Sequence, residues 1–262
     1  MRISNISRLS LFAALGTLAA GPVSAALSYP GCADLAAADF TAETLVANAT
    51  DESATEPMKM AFDMDASGNV SVYFTQRQGL LRKYDVAKKT TVNLADFSKY
   101  AGFTKVFSGG SDGLIGIALD PAFKANHYVY LHISTVAVAN GMGDWRVSRF
   151  TLNGEVLDMA SEKIVIKIPQ KSGSQHPGGA IAFDKAGNLW ITTGENNSAT
   201  PSGNTNDLRG KILRIKPAAD GGYTIPAGNL FQASDKTKPE IYIMGARNPY
   251  TIAIDNGRGG VY

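Results

Sequence analysis

A single cysteine, Cys32, stands in the 262-residue sequence, so no disulfide can form within the chain. It is not placed as a lipid-anchor cysteine, because Tyr29 occupies the position three residues before it, where such sites carry an aliphatic residue. A lone, buried thiol is the expectation. Charge of one sign is lacking too. The formal net charge is +2, from 25 Lys+Arg against 23 Asp+Glu. Arg2 and Arg8 fall in a segment expected to be removed, which leaves the mature chain close to neutral. Without a basic run there is no electrostatic case for nucleic acid or an anionic membrane. Hydrophobic residues make up 44% and charged residues 18%, which excludes both a disordered chain and a coiled coil. Beyond the N-terminus no apolar run approaches the roughly 20 residues of a membrane span. No amphipathic helical period links the strand candidates, which argues against a parallel α/β fold.

The N-terminus itself reads as an export signal. Met1 to Arg8 is short and basic, Leu9 to Ala20 is apolar, and Val23-Ser24-Ala25 supplies the small residues before a cleavage site. Gly21-Pro22 interrupts the apolar run too early for a membrane span. Residues 1–25 are therefore expected to be a signal peptide, and the mature protein to be secreted or periplasmic. Residues 26–57, rich in Ala, Thr, Asp and Glu, read as a lead-in with little periodicity.

From Met58 onward the texture changes to short apolar runs separated by Gly, Asn and Asp turns, the pattern of strands and hairpins. Four stretches resemble one another: Ala61-Phe62-Asp63, Ala118-Leu119-Asp120, Ala182-Phe183-Asp184 and Ala253-Ile254-Asp255. Each is followed, after a turn, by an aromatic-bearing strand: Val70 to Phe74, Tyr128 to Ile133, Leu189 to Thr193, and Gly260 to Tyr262. Asp65 to Asn69 and Asp184 to Asn188 place Asp, Gly and Asn where a hairpin needs side-chain-to-backbone bonds and positive φ. Further strand candidates lie between them, at Leu80 to Tyr84, Trp145 to Thr151 and Ile212 to Lys216. That gives roughly four short strands per unit, the content of a propeller blade. An all-β propeller over residues 58–262 is the expected fold, with a sandwich of hairpins as the alternative. Tyr262 falls inside the second strand of the fourth unit. The sequence is thus expected to be the N-terminal part of a longer protein, with about three and a half blades present. Alone, such a piece is expected to be inactive and prone to aggregate through its uncovered blade faces.

Five runs, in order, carry a family resemblance: Gly113 to Phe123; His176-Pro177-Gly178-Gly179; Asp207 to Ile215; Tyr223 to Asn229; and Gly245-Ala246-Arg247-Asn248-Pro249. In these the chain resembles the glucose/sorbosone dehydrogenase family, soluble quinoproteins with a six-bladed β-propeller that binds pyrroloquinoline quinone (PQQ). The resemblance implies an exported oxidoreductase acting on an aldose or related sugar hydroxyl, with electrons passing to an external acceptor. It implies PQQ and calcium as cofactors. Several quinone-binding groups of the family come from later blades, and no calcium ligand can be named on this chain.

By the same resemblance His176 is the general base, and Arg247 with Asn248 lines the quinone and its reacting carbonyl. The residue types suit those roles. An imidazole is an available base near neutral pH, and a guanidinium stays charged and can steady a developing oxyanion. A surface-loop histidine and an arginine paired to a neighbouring blade's carboxylate are the competing readings. His127 and His132 are expected on a strand as packing residues. Asp207 and Arg209 are expected to tie loop to blade; Glu195, Asn196, Asn197 and the loop to Asn206 are polar and either line the pocket or, as the first expectation, are solvated. Asp63 to Gly68 resembles a calcium loop, but Phe74 stands where such a loop needs its glutamate, so a hairpin turn is expected there. The chain departs from the family pattern at Ser111, where sugar dehydrogenases carry glutamine, and at Gln175 and Ala180, where they commonly carry Asp and Arg. Loss of the acidic neighbour removes one means of orienting the imidazole. A non-catalytic propeller of the same ancestry, binding carbohydrate or protein, is therefore the alternative function.

Overall fold

The computed structural model describes residues 56–101, 103, 110–135, 143–170 and 175–262. The expected signal peptide, the lead-in up to residue 55 and Cys32 lie outside the described residues. The described part is built from consecutive antiparallel strands. The first sheet is β1 (Pro57–Met64), β2 (Val70–Gln76), β3 (Leu80–Asp85) and β4 (Thr90–Asp96), in that order. The second is β5 (Leu114–Leu119), β6 (Tyr128–Ser134), β7 (Asp144–Asn153) and β8 (Val156–Pro169). In the third, β9 (Ile181–Phe183), β10 (Leu189–Thr193) and β11 (Lys211–Pro217) follow in order. The free edge of β11 is then shared by two short strands. β12 (Tyr223–Thr224) pairs with Lys216 and Pro217, and β13 (Ile241–Met244) pairs with Lys211 to Leu213. A final hairpin, β14 (Ile254–Asp255) with β15 (Gly260–Val261), begins another unit. Sheets made of successive strands are the blade order of a β-propeller, whereas a sandwich crosses strands between its sheets.

The turns explain why the Asp-containing stretches repeat. Asp65 Oδ1 accepts the backbone N–H groups of Ser67 and Asn69 at 2.8 and 2.9 Å, while Asn69 Nδ2 donates to Oδ2 at 3.0 Å. Asp184 does the same for Ala186 and Asn188, at 2.9, 2.9 and 2.8 Å. Asp255 accepts from Gly257 and Arg258. In the second unit the turn is longer. Asp120 caps it through Ala122 and Asn126, and the four-residue helix α1 (Phe123–Asn126) fills it. His127 ends that helix in the left-handed conformation, exposed and edge-on to Phe123. It is therefore not a strand residue, as the sequence reading had it. His132 is: it lies fully buried on β6.

Packing stacks the sheets. Along β6 every residue from Val129 to Ser134 is buried, so both faces of the strand are covered. Val129, Leu131 and Ile133 face a core with Leu81, Phe97, Leu114 and Phe150, contributed by the first two sheets. Tyr130 faces a second core with Trp145, Ile166, Leu189, Ile191 and Leu213, shared by the second and third sheets. Strand alternation thus sends successive side chains into two different interfaces.

The same topology gives the assembly two ends. At one end lie the Asp-capped turns, tied together where Lys124 Nζ donates to Met64 O and Lys185 N to Asn256 Oδ1. At the other end lie the loops that precede β5, β9 and β14 and the loop from β10 to β11. The candidate chemistry is at this second end. Among the described residues no helix is long and apolar enough to cross a membrane.

Candidate active site

His176 leads into β9 on a loop pressed against the end of β10. Its own φ is 53°. The closeness of the two backbones dictates glycine at Gly194, where a Cβ would stand 1.9 Å from His176 O. At Gly178, with φ 68°, a Cβ would stand 2.7 Å from Thr192 O. The His-Pro-Gly-Gly run therefore lies flat on β10, a path that side chains at those positions would block.

The consequence is a pairing that the local sequence conceals. His176 Nδ1 is hydrogen-bonded to Glu195 Oε1, with the two side chains only 15% and 6% exposed. The other carboxylate oxygen of Glu195 accepts the backbone N–H of Ser198. Nδ1 is thereby committed, and Nε2 is the ring atom left without a partner among the described residues. A carboxylate on Nδ1–H fixes both the ring's orientation and its tautomer. Glu195 is buried rather than solvated, so of the two readings for this loop the pocket-lining one suits it. Where the family commonly has an acidic residue before the histidine, this chain has the exposed Gln175, and Glu195 places a carboxylate on the ring from the facing strand end.

The loop after β13 closes the group. Glu195 N–H donates to Arg247 O at 2.8 Å, and Gly178 N–H donates to Asn248 Oδ1 at 3.0 Å. The loop bearing Arg247 and Asn248 is thus hydrogen-bonded to both the histidine loop and the glutamate. The Arg247 side chain is exposed, and among the described residues it meets no carboxylate. Asn248 uses its carbonyl oxygen inward, which leaves Nδ2 as a donor.

The remaining predicted positions are structural. Asp112, beside Ser111, is 2% exposed, and its Oδ1 accepts from Ser134 Oγ, Trp145 Nε1 and Gln170 Nε2, each at 3.0 Å. Burial pushes this carboxyl above its ordinary pKa, and the three donors act against that rise. It anchors the foot of β5. Ala180 is buried, with its N–H on Thr192 Oγ1 at 2.9 Å. Asp207 and Arg209 form a fork, Nε and Nη2 to the two carboxylate oxygens at 3.0 and 2.7 Å, which joins two residues of the same loop.

At one end of the β-propeller the described residues bring together an exposed cation, an amide donor without a partner among them and a carboxylate-backed imidazole, an arrangement suited to proton abstraction beside an anionic partner. The chain belongs to the Glucose / Sorbosone dehydrogenase family, whose model matches residues 54–262. It is 28% identical over 200 residues to the aldose sugar dehydrogenase YliI of Escherichia coli, covering 76% of this chain and 50% of that protein. The apo-form structure of the soluble aldose sugar dehydrogenase from Escherichia coli superposes with a TM-score of 0.64 at 27% identity, over 79% of this chain and 56% of that one. The PQQ-bound aldose sugar dehydrogenase of Streptomyces coelicolor gives a TM-score of 0.62 at 27% identity, over 79% and 55%. The chain spans about half the length of these relatives.

Proposed function

We propose that this chain is part of an exported, PQQ-dependent dehydrogenase that oxidises an aldose or related sugar at a hydroxyl-bearing carbon. The carrying observation is the His176–Glu195 pair, which leaves Nε2 as the imidazole nitrogen without a partner among the described residues. In this reading His176 Nε2 takes the hydroxyl proton, and the charge arriving on the ring is stabilised by Glu195 through Nδ1–H. Bound PQQ would supply the acceptor for the hydride that leaves the same carbon, and an external acceptor would then take the two electrons. Sugar thus loses one proton and one hydride.

The residues present fit an anionic quinone in part. Arg247 offers an exposed guanidinium, and Asn248 Nδ2 offers a neutral donor beside it. Calcium is different: among the described residues no three His, Cys, Asp or Glu side chains converge as a metal site, so no ligand is assigned and no step runs through it. Export rests on the sequence of residues 1–25, which supports a secreted or periplasmic protein.

The test is reconstitution of the full-length protein with PQQ and calcium, followed by spectral titration of quinone binding and dye reduction with a panel of sugars. Quinone binding with sugar-dependent reduction is expected. Failure to bind quinone, together with no turnover of any sugar, would refute the proposal and return the propeller to a binding role.

A further inference from the structure

Lys211 is fully buried at the start of β11, and a buried ammonium is costly unless it is fully bonded. Here it is. Nζ donates to Pro201 O at 2.6 Å, Arg209 O at 2.8 Å and Ser202 O at 3.1 Å, which uses all three protons. Two of those carbonyls belong to α2 (Thr200–Gly203), a single turn inside the loop that begins at Glu195. That turn also carries the other half of the site. Ser202 O accepts Gly245 N–H at 3.0 Å, and Ser202 Oγ donates to Ala246 O at 2.7 Å. Ala246 N–H donates in turn to Gly210 O at 3.1 Å, and a Cβ at Gly210 would stand 2.2 Å from Ser202 Oγ. The segment leading into Arg247 and Asn248 therefore hangs on the turn that Lys211 holds.

We propose that Lys211 is a positioning residue: its buried ammonium clamps the Pro201–Ser202 turn, and through that turn holds Glu195, Arg247 and Asn248 in register with His176. The positioning role rests on the proposed reading of the His176 site. The clamp specifically requires the ammonium, since a neutral amine has two protons for three carbonyls. Asp207 favours the charged form and Arg209 opposes it, while the cross-strand partners Thr193 and Met244 carry no charge. Burial pulls the Lys211 pKa down to about 8, so the clamp is one that mild alkali can release.

Two measurements test this on the full-length protein. The first follows the downfield Nδ1 proton of His176 by NMR in wild type and in Lys211→Met, alongside the kinetics. Loss of that resonance in the variant is expected, with kcat falling by up to about a hundredfold, the cost of a displacement near 1 Å. An intact resonance and unchanged kcat in a folded Lys211→Met protein would overturn the proposal. The second needs no variant: with lysine labelled at its Cε carbon, the His176 resonance should broaden in the same step in which Lys211 titrates. A His176 resonance indifferent to Lys211 titration would equally overturn it. Neither NMR measurement requires turnover, so a protein that oxidises no sugar would refute the proposed function while leaving the clamp to stand or fall separately.

Discussion

The most quantitative consequence of the structure concerns His132. It is fully buried on β6, opposite Gly116 and close to Gly179, and among the described residues neither ring nitrogen has a hydrogen-bond partner. Burial lowers its pKa from 6.5 to about 4. The sign follows directly. In the unfolded chain the ring takes up a proton as pH falls through 6.5, while in the folded chain it stays neutral until about 4. Below 6.5 the unfolded state therefore binds more protons, and stability falls with pH until both forms are charged. Between pH 7 and pH 5 the difference comes to about 2 kcal/mol. For a domain of this size that is about 4–8 °C in melting temperature. Carboxylates add their own acid dependence, so the readout is a difference between proteins. In His132→Leu the loss of stability between pH 7 and pH 5, followed by urea denaturation, should be smaller than in wild type by about that 2 kcal/mol. Equal pH dependence in the two proteins would refute the reasoning. Because Gly179 lies on this ring, acid should also disturb the His176 loop before the whole domain unfolds.

Other outcomes follow from the same contacts. Glu195→Gln keeps a polar group on Nδ1 but removes the charge that supports a protonated ring; a fall in kcat of about a hundredfold is expected in steady-state kinetics, with the melting temperature nearly unchanged. Asp184→Ala removes the acceptor of Ala186, Asn188 and Trp190 Nε1 at the far end of the propeller. It should cost about 1–3 kcal/mol in a denaturant titration and leave turnover in the native protein intact.

The scaffold was legible in the sequence because its signals are local. An Asp that binds two backbone N–H groups within the next four residues, followed by Gly and Asn, produces the same turn at Asp65 and Asp184 wherever it occurs. The short apolar runs gave the strands for a similar reason: each is covered on one or both faces by the next sheet. His127 was misplaced because strand texture continues into Tyr128, whereas the helical turn before it depends on Asp120 and Asn126 folding back on one another. The pairing of Glu195 with His176 is hidden for a different reason. The two are 19 residues apart, and only the antiparallel return of β10 brings the strand end beside the loop before β9. The signal in the sequence is the hairpin itself: across it, the residue that faces His176 is Glu195. Lys211 gave no such signal, since its partners are main-chain carbonyls. The edge of β11, divided between β12 and β13, likewise follows from a long loop whose anchors, such as Asn229 Nδ2 on Pro239 O, are non-periodic.

The most direct test of the account is the turnover of His176→Ala in the full-length protein reconstituted with PQQ and calcium, measured as sugar-dependent dye reduction beside wild type. With quinone binding retained, kcat is predicted to fall by about 10²–10⁴-fold, the usual contribution of a positioned general base. Turnover equal to wild type would contradict the assignment of the base to His176.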